Sequence, residues 1–481
     1  MLELEPKKVW DYFEKFSAIP RPSGREKAAG DYILSVAKAH GLERERDKVG
    51  NVLIRVPATP GRESAPATVL QGHLDMVCEK NSNVEHDFLK DPLLLRVEGG
   101  LVKATGTTLG ADNGIGVAMA LALLDEPSAE HGPLELLFTV DEERGLNGAN
   151  GLQPDFIKGR RLLNLDTEED ASLYVGCAGG QDTALSIRVV RAKGEDPRPA
   201  FKLLVKGLRG GHSGGDIHEG RGNANRILAR VLDEMDRRRI AYGLGAVDGG
   251  SKHNAIPREA FATLYADPVV LDAARTAVQE VQEAVRQELK GLDDGVAIEL
   301  SAGQADLPPL TRSSHAKVVA LLMAVPHGLI SYSREIPGLV ETSTNLAVVK
   351  SHMGKVEVLT SQRSSVMSQL EWAVRWVAAV GRLGGAKVKH SDGYAGWKPN
   401  LESPILKACQ ATYKRLYGVE PQPKAIHAGL ECGIIGDKYP GIDMVSLGPE
   451  IKNAHSPDEE VHIESVQKTY RYLLELLKDI S

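Results

Sequence analysis

The chain is poor in cysteine. Its four thiols, Cys78, Cys177, Cys409 and Cys432, stand far apart with no CxxC spacing, which excludes a disulfide framework and a thiolate zinc knot and suits a reducing cytoplasm. No stretch approaches the about 20 consecutive apolar residues that a membrane-spanning helix needs. The amphipathic, acid-containing start MLELEPKKVWDYFEKFSAIP also lacks the apolar core of a secretory leader, so a soluble, unprocessed chain is expected. Nor is there a basic excess. The 58 Lys and Arg face 65 Asp and Glu, for a net charge of -7, which argues against a nucleic-acid surface or a polybasic membrane anchor and leaves small molecules or peptides as partners.

What is present is length and alternation. At 481 residues the chain exceeds what one hydrophobic core organises, so two domains are expected. From residue 1 to about 185, short apolar runs (NVLIRVP, ATVLQG, LELLFTV, RRLLNLD) alternate with helical patterns such as NGIGVAMALALLDE, the texture of an α/β sheet covered by helices. It returns after residue 390 in PILKACQATYKRLYG, IDMVSLG and SVQKTYRYLLELLKDI. The two ends of the chain could therefore share one sheet. The breaker-rich stretches RAKGEDPRPA and KHSDGYAGWKP place junctions near 186 and 390. Residues 1–185 with 390–481 then form one domain, and 186–389 an α+β insert of antiparallel strands with helices on one face, built once or twice over.

Chemistry gathers at the ends of the apolar runs. His73 closes ATVLQGH, and Asp75, two residues on, faces the same way. A carboxylate so placed can hold one imidazole nitrogen and present the other to a metal, although from the pair alone a surface-loop histidine beside a solvated aspartate is the better reading. Asp112 precedes Asn113-Gly114 and an apolar helix, where a helix cap is the simpler reading. Glu142 and Glu143 follow LELLFTV, where a solvated turn would do, and Asp166 follows LLNL. Ligands collect at the carboxyl ends of strands in open α/β sheets, so carboxylates at each such end point to one site. Hard oxygen donors with a few imidazoles suit zinc, manganese or cobalt, and one carboxylate can bridge two ions. A second imidazole is available in His455, in a loop whose acidic continuation SPDEE could cap the last helix.

The motifs GHLDMV, GADNGIG, DEERGL, NLDTEE, GGHSGGDI, HNAIP, HAGLECG and NAHSPDE together resemble those of the aminoacylhistidine dipeptidases. These are also called Xaa-His or cytosolic nonspecific dipeptidases, carnosinase-like members of the co-catalytic zinc metallopeptidase clan. The motifs span nearly the whole chain in the family's order. The resemblance implies a zinc-peptidase-like catalytic domain with a mixed sheet, interrupted by an α+β lid. It implies two divalent ions, zinc with cobalt or manganese as alternatives: His73 and Asp166 on one, Glu143 and His455 on the other, and Asp112 bridging through a cis Asp112–Asn113 peptide. Asp75 would orient His73, and Glu142 would act as general base on a water acidified by both cations.

On the insert, His212 in RGGHSGG matches a lid histidine that stabilises the oxyanion, Asn254 in HNAIP one that holds substrate, and Arg363 in TSQRSS one that clamps a terminal carboxylate. Gly429 and Glu431 in HAGLECG would lie beside the substrate, with Glu431 receiving its free amine. The expected activity is hydrolysis of unblocked dipeptides, including Xaa-His, in the cytoplasm, with no nucleic-acid or membrane partner and with the lid as a potential homodimer surface. An N-acyl amino acid amidohydrolase of the same fold is the alternative. A non-catalytic metal- or peptide-binding protein is a third reading, and the presence of Glu142 speaks against it.

Overall fold

The structure, a computed structural model, describes residues 2–194, 196–304 and 306–481. It divides into two compact units, Met1–Cys177 with Trp397–Ala425 and Leu430–Ser481, and Ala178–Gly396 with Ile426–Gly429. Among the described residues no helix is long and apolar enough to cross a membrane.

The first unit is built on an eight-stranded sheet. Its order is Glu43–Arg46, Val52–Val56, Leu134–Thr139, Thr68–His73, Arg161–Asn164, Asp443–Ser446, Ser172–Cys177 and Gln422–Ile426. The four strands from Leu134–Thr139 to Asp443–Ser446 run parallel, with His73 opposite Thr139 and Val445 opposite Leu163. Val52–Val56 and Ser172–Cys177 flank them antiparallel. The Thr68–His73 and Leu134–Thr139 strands are buried at every position, as parallel strands covered on both faces must be. This is why they read as continuous apolar runs rather than alternating ones. Asp443–Ser446 lies between strands from the first half of the chain, so the two ends of the sequence do share one sheet.

Helix Ala111–Ala122, buried throughout, packs against helix Lys7–Ser17. Helix Pro404–Tyr417 starts at Ser403, whose hydroxyl accepts from Leu406 N–H, with Pro at its first position and Gly418 closing it at φ 72°. A smaller four-stranded sheet pairs Leu95–Glu98, Leu101–Ala104, Glu460–His462 and Ile451–Lys452, and the loop carrying His455 joins its last two strands.

The second unit is built on one nine-stranded sheet, with a two-stranded ladder of Gly211–His212 and Ala255–Ile256 beside it, and not on two repeats. Among the described residues its strands pair antiparallel. Helices Ala224–Arg237, Leu271–Glu288 and Arg312–Ala324 close its core through Leu228, Leu232, Val278, Leu321 and Leu322, packed with Leu203, Val205 and Leu264 of the strands. Its boundaries fall at Cys177/Ala178 and Gly396/Trp397, not near 186 and 390. Strand Gly179–Arg188 pairs along its length with Lys355–Ser364 and Ala386–His390. Tyr394, in the stretch read as a junction, exchanges backbone hydrogen bonds with Gly180.

Candidate metal centre and substrate residues

Strand topology brings the candidates of the first unit together. His73 ends Thr68–His73, Glu142 and Glu143 follow Leu134–Thr139, and Asp166 follows Arg161–Asn164. Since these strands are parallel neighbours, their carboxyl ends open on one edge. Asp112 enters from the first turn of Ala111–Ala122, and His455 from the loop beyond Asp443–Ser446. The two carboxylate oxygens of Asp112 divide the cluster. Oδ1 lies 3.0 Å from His73 Nε2, which is 3.3 Å from Asp166 Oδ1. Oδ2 lies 3.0 Å from His455 Nε2, which is 3.1 Å from Glu143 Oε1. Two donor sets result, His73/Asp112/Asp166 and Asp112/Glu143/His455, each with its ligand atoms within 4.8 Å of one another.

The donors suit divalent transition metals in type, being imidazole nitrogens and carboxylate oxygens. Their geometry suits them too. Among the described residues Asp166 Oδ1 and Glu143 Oε1 are buried without a hydrogen-bond partner, although an imidazole nitrogen stands within 3.3 and 3.1 Å. Close approach without hydrogen-bond alignment is what atoms directed at a common cation display, and buried polar atoms otherwise find partners.

The electrostatics agree. Burial opposes charge on His73, but Asp166, Asp112 and Asp75 outweigh it and lift its pKa well above the imidazole range. The hydrogen bond to Asp112 and then the nearby Glu143 carboxylate raise His455 to about 11. Burial works against the Asp112 carboxylate too, yet the two imidazoles bring it below the usual range. Asp166 is pushed up to about 7, chiefly by burial and against the pull of His73, with Asp112 and Glu143 adding repulsion. Glu142 rises well above the carboxylate range, through burial first and then Asp166, Glu143 and Glu431. So much crowded negative charge is the setting that bound cations neutralise.

Several side chains frame the cluster. Asp75, fully buried, has Oδ1 3.5 Å from His73 Nδ1. It also accepts from the backbone N–H of Glu142 and Glu143 at 3.0 and 3.2 Å and from Ser23 Oγ at 2.8 Å. It therefore holds the two-glutamate turn, with one oxygen facing the imidazole. Asn113 accepts from His73 N–H and donates to Leu165 C=O. The Asp112–Asn113 peptide is cis, as the resemblance implies. Asp112 does not cap its helix. The N–H groups of residues 109–112 go to Glu459, so the acidic SPDEE stretch caps this helix and not the last one, which starts at His462 without a side-chain cap.

Glu431 opens helix Glu431–Lys438 in the same unit. Its Oε2 accepts from Gln71 Nε2 at 2.6 Å and Thr139 Oγ1 at 2.7 Å, while Oε1 is buried without a partner. Burial raises it to about 7, against the pull of His73. Sequence reasoning passed over Arg21, Glu459, Gln71 and Asn164. The last two were legible as amides inside apolar runs, Asn164 Nδ2 donating to Gln71 Oε1 at 2.6 Å.

In the second unit, His212 lies in the short strand Gly211–His212, paired with Ala255–Ile256. Its Nδ1 accepts from Gly214 and Gly215 N–H at 3.3 and 3.0 Å. The ring proton is thereby placed on Nε2. Burial and then the Arg363 cation depress its pKa, so the ring is a neutral donor. Arg363 is 6 % exposed and donates to Tyr394 Oη at 2.8 Å and Ser213 Oγ at 3.4 Å, with no carboxylate ion-paired to it among the described residues. Asn254 is exposed, and its carbonyl accepts from Ser213 N–H at 2.8 Å. His427 is buried with Nε2 2.7 Å from Ser343 Oγ, and burial lowers it to about 3. Gly429 ends the Ile426–Gly429 segment assigned to this unit.

Comparison with known proteins extends these observations. The chain is 44% identical over 482 residues to the cytosol non-specific dipeptidase of Escherichia coli, covering 99% of this chain and 98% of that one. It superposes with a TM-score of 0.90 on the aminoacylhistidine dipeptidase of Vibrio alginolyticus, 40% identical, covering 99% and 97% of the two chains. The aminopeptidase PepT of Bacillus cereus shares the fold at 15% identity, with a TM-score of 0.59 and 99% of both chains covered. Residues 69–479 match the family described as Peptidase family M20/M25/M40. By that match and by identity along nearly its full length, the chain belongs to peptidase family M20/M25/M40 and is a peptide-bond hydrolase.

Proposed function

We propose that the protein is a metal-dependent dipeptidase that hydrolyses unblocked dipeptides, including those ending in histidine, in the cytoplasm. The observation that carries this reading is the pair of donor sets sharing Asp112, with Glu142 beside them. The names of the Escherichia coli and Vibrio relatives support the substrate class, and the first supports the compartment. His73 and Asp166 would hold one divalent cation, Glu143 and His455 the other, with Asp112 between them; zinc fits this donor set, and cobalt or manganese would serve. When bound, the cations supply a water of lowered pKa and positive charge for the developing oxyanion.

The protein's own groups do the rest. Asp75 holds His73. Glu142, with its proton affinity raised by burial, takes the proton of the attacking water and returns it to the departing amine. His212 offers its Nε2–H to the oxyanion, and Arg363 its planar fork to the terminal carboxylate. Asn254 helps hold the substrate, and Gly429 lies beside it. The unpartnered Oε1 of Glu431 receives the free ammonium. Hydrolysis assays on free dipeptides, N-acetylated amino acids and tripeptides, with zinc, manganese or cobalt added, test the assignment. Selective cleavage of free dipeptides supports it, whereas preference for the acetylated amino acids would make the protein a deacylase.

His212→Ala should lower turnover about 10²- to 10³-fold with cation content and KM little changed, because an oxyanion donor acts in the transition state. Steady-state kinetics with metal analysis checks this, and wild-type turnover would remove His212 from the chemistry. A pH dependence also follows. Both imidazoles have raised pKa values without cations, so at neutral pH each holds a proton that must leave before its Nε2 can ligate. Cation affinity should therefore rise with pH between about 6 and 8. Equal affinity at both ends of that range, by calorimetric titration, would contradict the ligand assignment.

A further inference from the structure

We propose that Glu459 is a positioning residue of the metal centre: by gathering the backbone N–H groups of residues 109–112, it sets the bridging carboxylate of Asp112 against His455 and so tunes the affinity of the cation those two share. The inference rests on the two-cation reading above.

The helix that carries Asp112 has an unusual start. Its N-cap position is Gly110, at φ 65°, with no side chain to offer. The first N–H groups of a helix need acceptors, which a local Ser, Thr, Asp or Asn commonly supplies. Here one carboxylate from the far end of the chain supplies the acceptors for residues 109–112. Glu459 Oε2 accepts from Leu109 and Gly110 N–H at 2.7 and 2.9 Å, and Oε1 from Ala111 and Asp112 N–H at 2.7 and 3.3 Å. Glu459 is 2 % exposed and has no ion pair among the described residues. Its charge is met by those N–H groups and the positive end of the helix. Asp112, relieved of capping, is free to present both of its oxygens to the two imidazoles.

The same side chain holds the loop that brings His455. Asn453 and His455 sit at φ 55° and 64°, a left-handed backbone that non-glycine residues keep only where their surroundings impose it. Ser456 and Asp458 bond within the loop, to Asn453 C=O and Ser456 Oγ. Besides the His455–Asp112 contact itself, the hydrogen bonds from this loop to residues 109–112 are, among the described residues, those of Glu459. From another direction Arg21, also buried, donates to Leu74 and Asp75 C=O at 3.0 and 2.9 Å and to Gly110 C=O at 2.5 Å. Gly110 therefore gives its N–H to Glu459 and its C=O to Arg21. Through that one residue the segments bearing His73, Asp112 and His455 are joined.

Only a carboxylate of this length satisfies the arrangement, since four donors converge on both oxygens. A glutamine of the same shape would turn its own N–H₂ toward two of them and leave them unpaired. The test is a calorimetric titration of metal-free wild type, Glu459→Gln, Glu459→Asp and Glu460→Gln with Zn²⁺, with circular dichroism to follow the fold. Glu460, the neighbouring control, pairs with Lys103 at 2.7 Å instead. Wild type and Glu460→Gln are expected to bind two cations alike. Folded Glu459→Gln should bind one of them about 10- to 100-fold more weakly, as for groups that support metal ligands. Glu459→Asp, which keeps the charge but is one methylene shorter, should show the same loss and stands in if the glutamine variant does not fold. Wild-type constants for both cations in either variant, even with a lowered melting temperature, would overturn the positioning role and leave the two-cation reading intact. Fewer than two cations on the wild type would overturn both.

Discussion

Glu142→Gln is expected to keep both cations and to lose roughly two to four orders of magnitude in turnover, as when a positioned acid/base group is removed. The separation of the two effects comes from the turn that carries the two glutamates. Asp75 grips the N–H groups of both Glu142 and Glu143, so the backbone stays in place when one side chain changes. Glu143 Oε1 lies 3.1 Å from His455 Nε2, whereas the Glu142 carboxylate accepts no hydrogen bond among the described residues. Glutamine fills the same space but cannot take a proton from water. Metal analysis and kinetics on a single preparation decide the matter: near-wild-type turnover would take Glu142 out of the mechanism, and loss of a cation would make it a ligand.

Asp112→Ala should lose both cations and all measurable hydrolysis, while His455→Ala should weaken one cation and spare the other. Asp112 serves both imidazoles through separate oxygens, each at 3.0 Å, so no single-site substitution elsewhere in the cluster removes a donor from both sets. The fold should tolerate the change, because the helix start is capped by Glu459 and not by Asp112. Metal content by elemental analysis, with circular dichroism as the control for folding, checks this. Two tightly held cations in Asp112→Ala would rule out the bridge.

The sequence showed more of the first unit than of its supports. Runs such as ATVLQGH and LELLFTV are readable because strands buried on both faces are largely apolar. Charged residues at their ends were conspicuous for the same reason. Tyr242–Gly249, YGLGAVDG, went unread because three glycines in eight residues mask any alternation. Gly179–Arg188 was read with the first domain, since its partners Lys355–Ser364 and Ala386–His390 lie about 170 to 210 residues on and no local pattern announces them. Asp112 alone looked like a helix cap. What identified its site was the family's motif order, and what explains its freedom from capping is Glu459, 347 residues away. SPDEE looked like the start of the last helix because capping is commonly local. Long-range side-chain to backbone bonds leave no periodic trace, and so Arg21 and Glu459 could be found only in three dimensions.

The most direct test of the central claim is the hydrolysis of a free dipeptide by chelator-treated protein as zinc is returned in counted equivalents. The account predicts no activity without cations, and full activity only once two ions are bound per chain. Full turnover with no bound cation would contradict the metal-dependent reading, and full turnover with one ion per chain would contradict the paired site centred on Asp112.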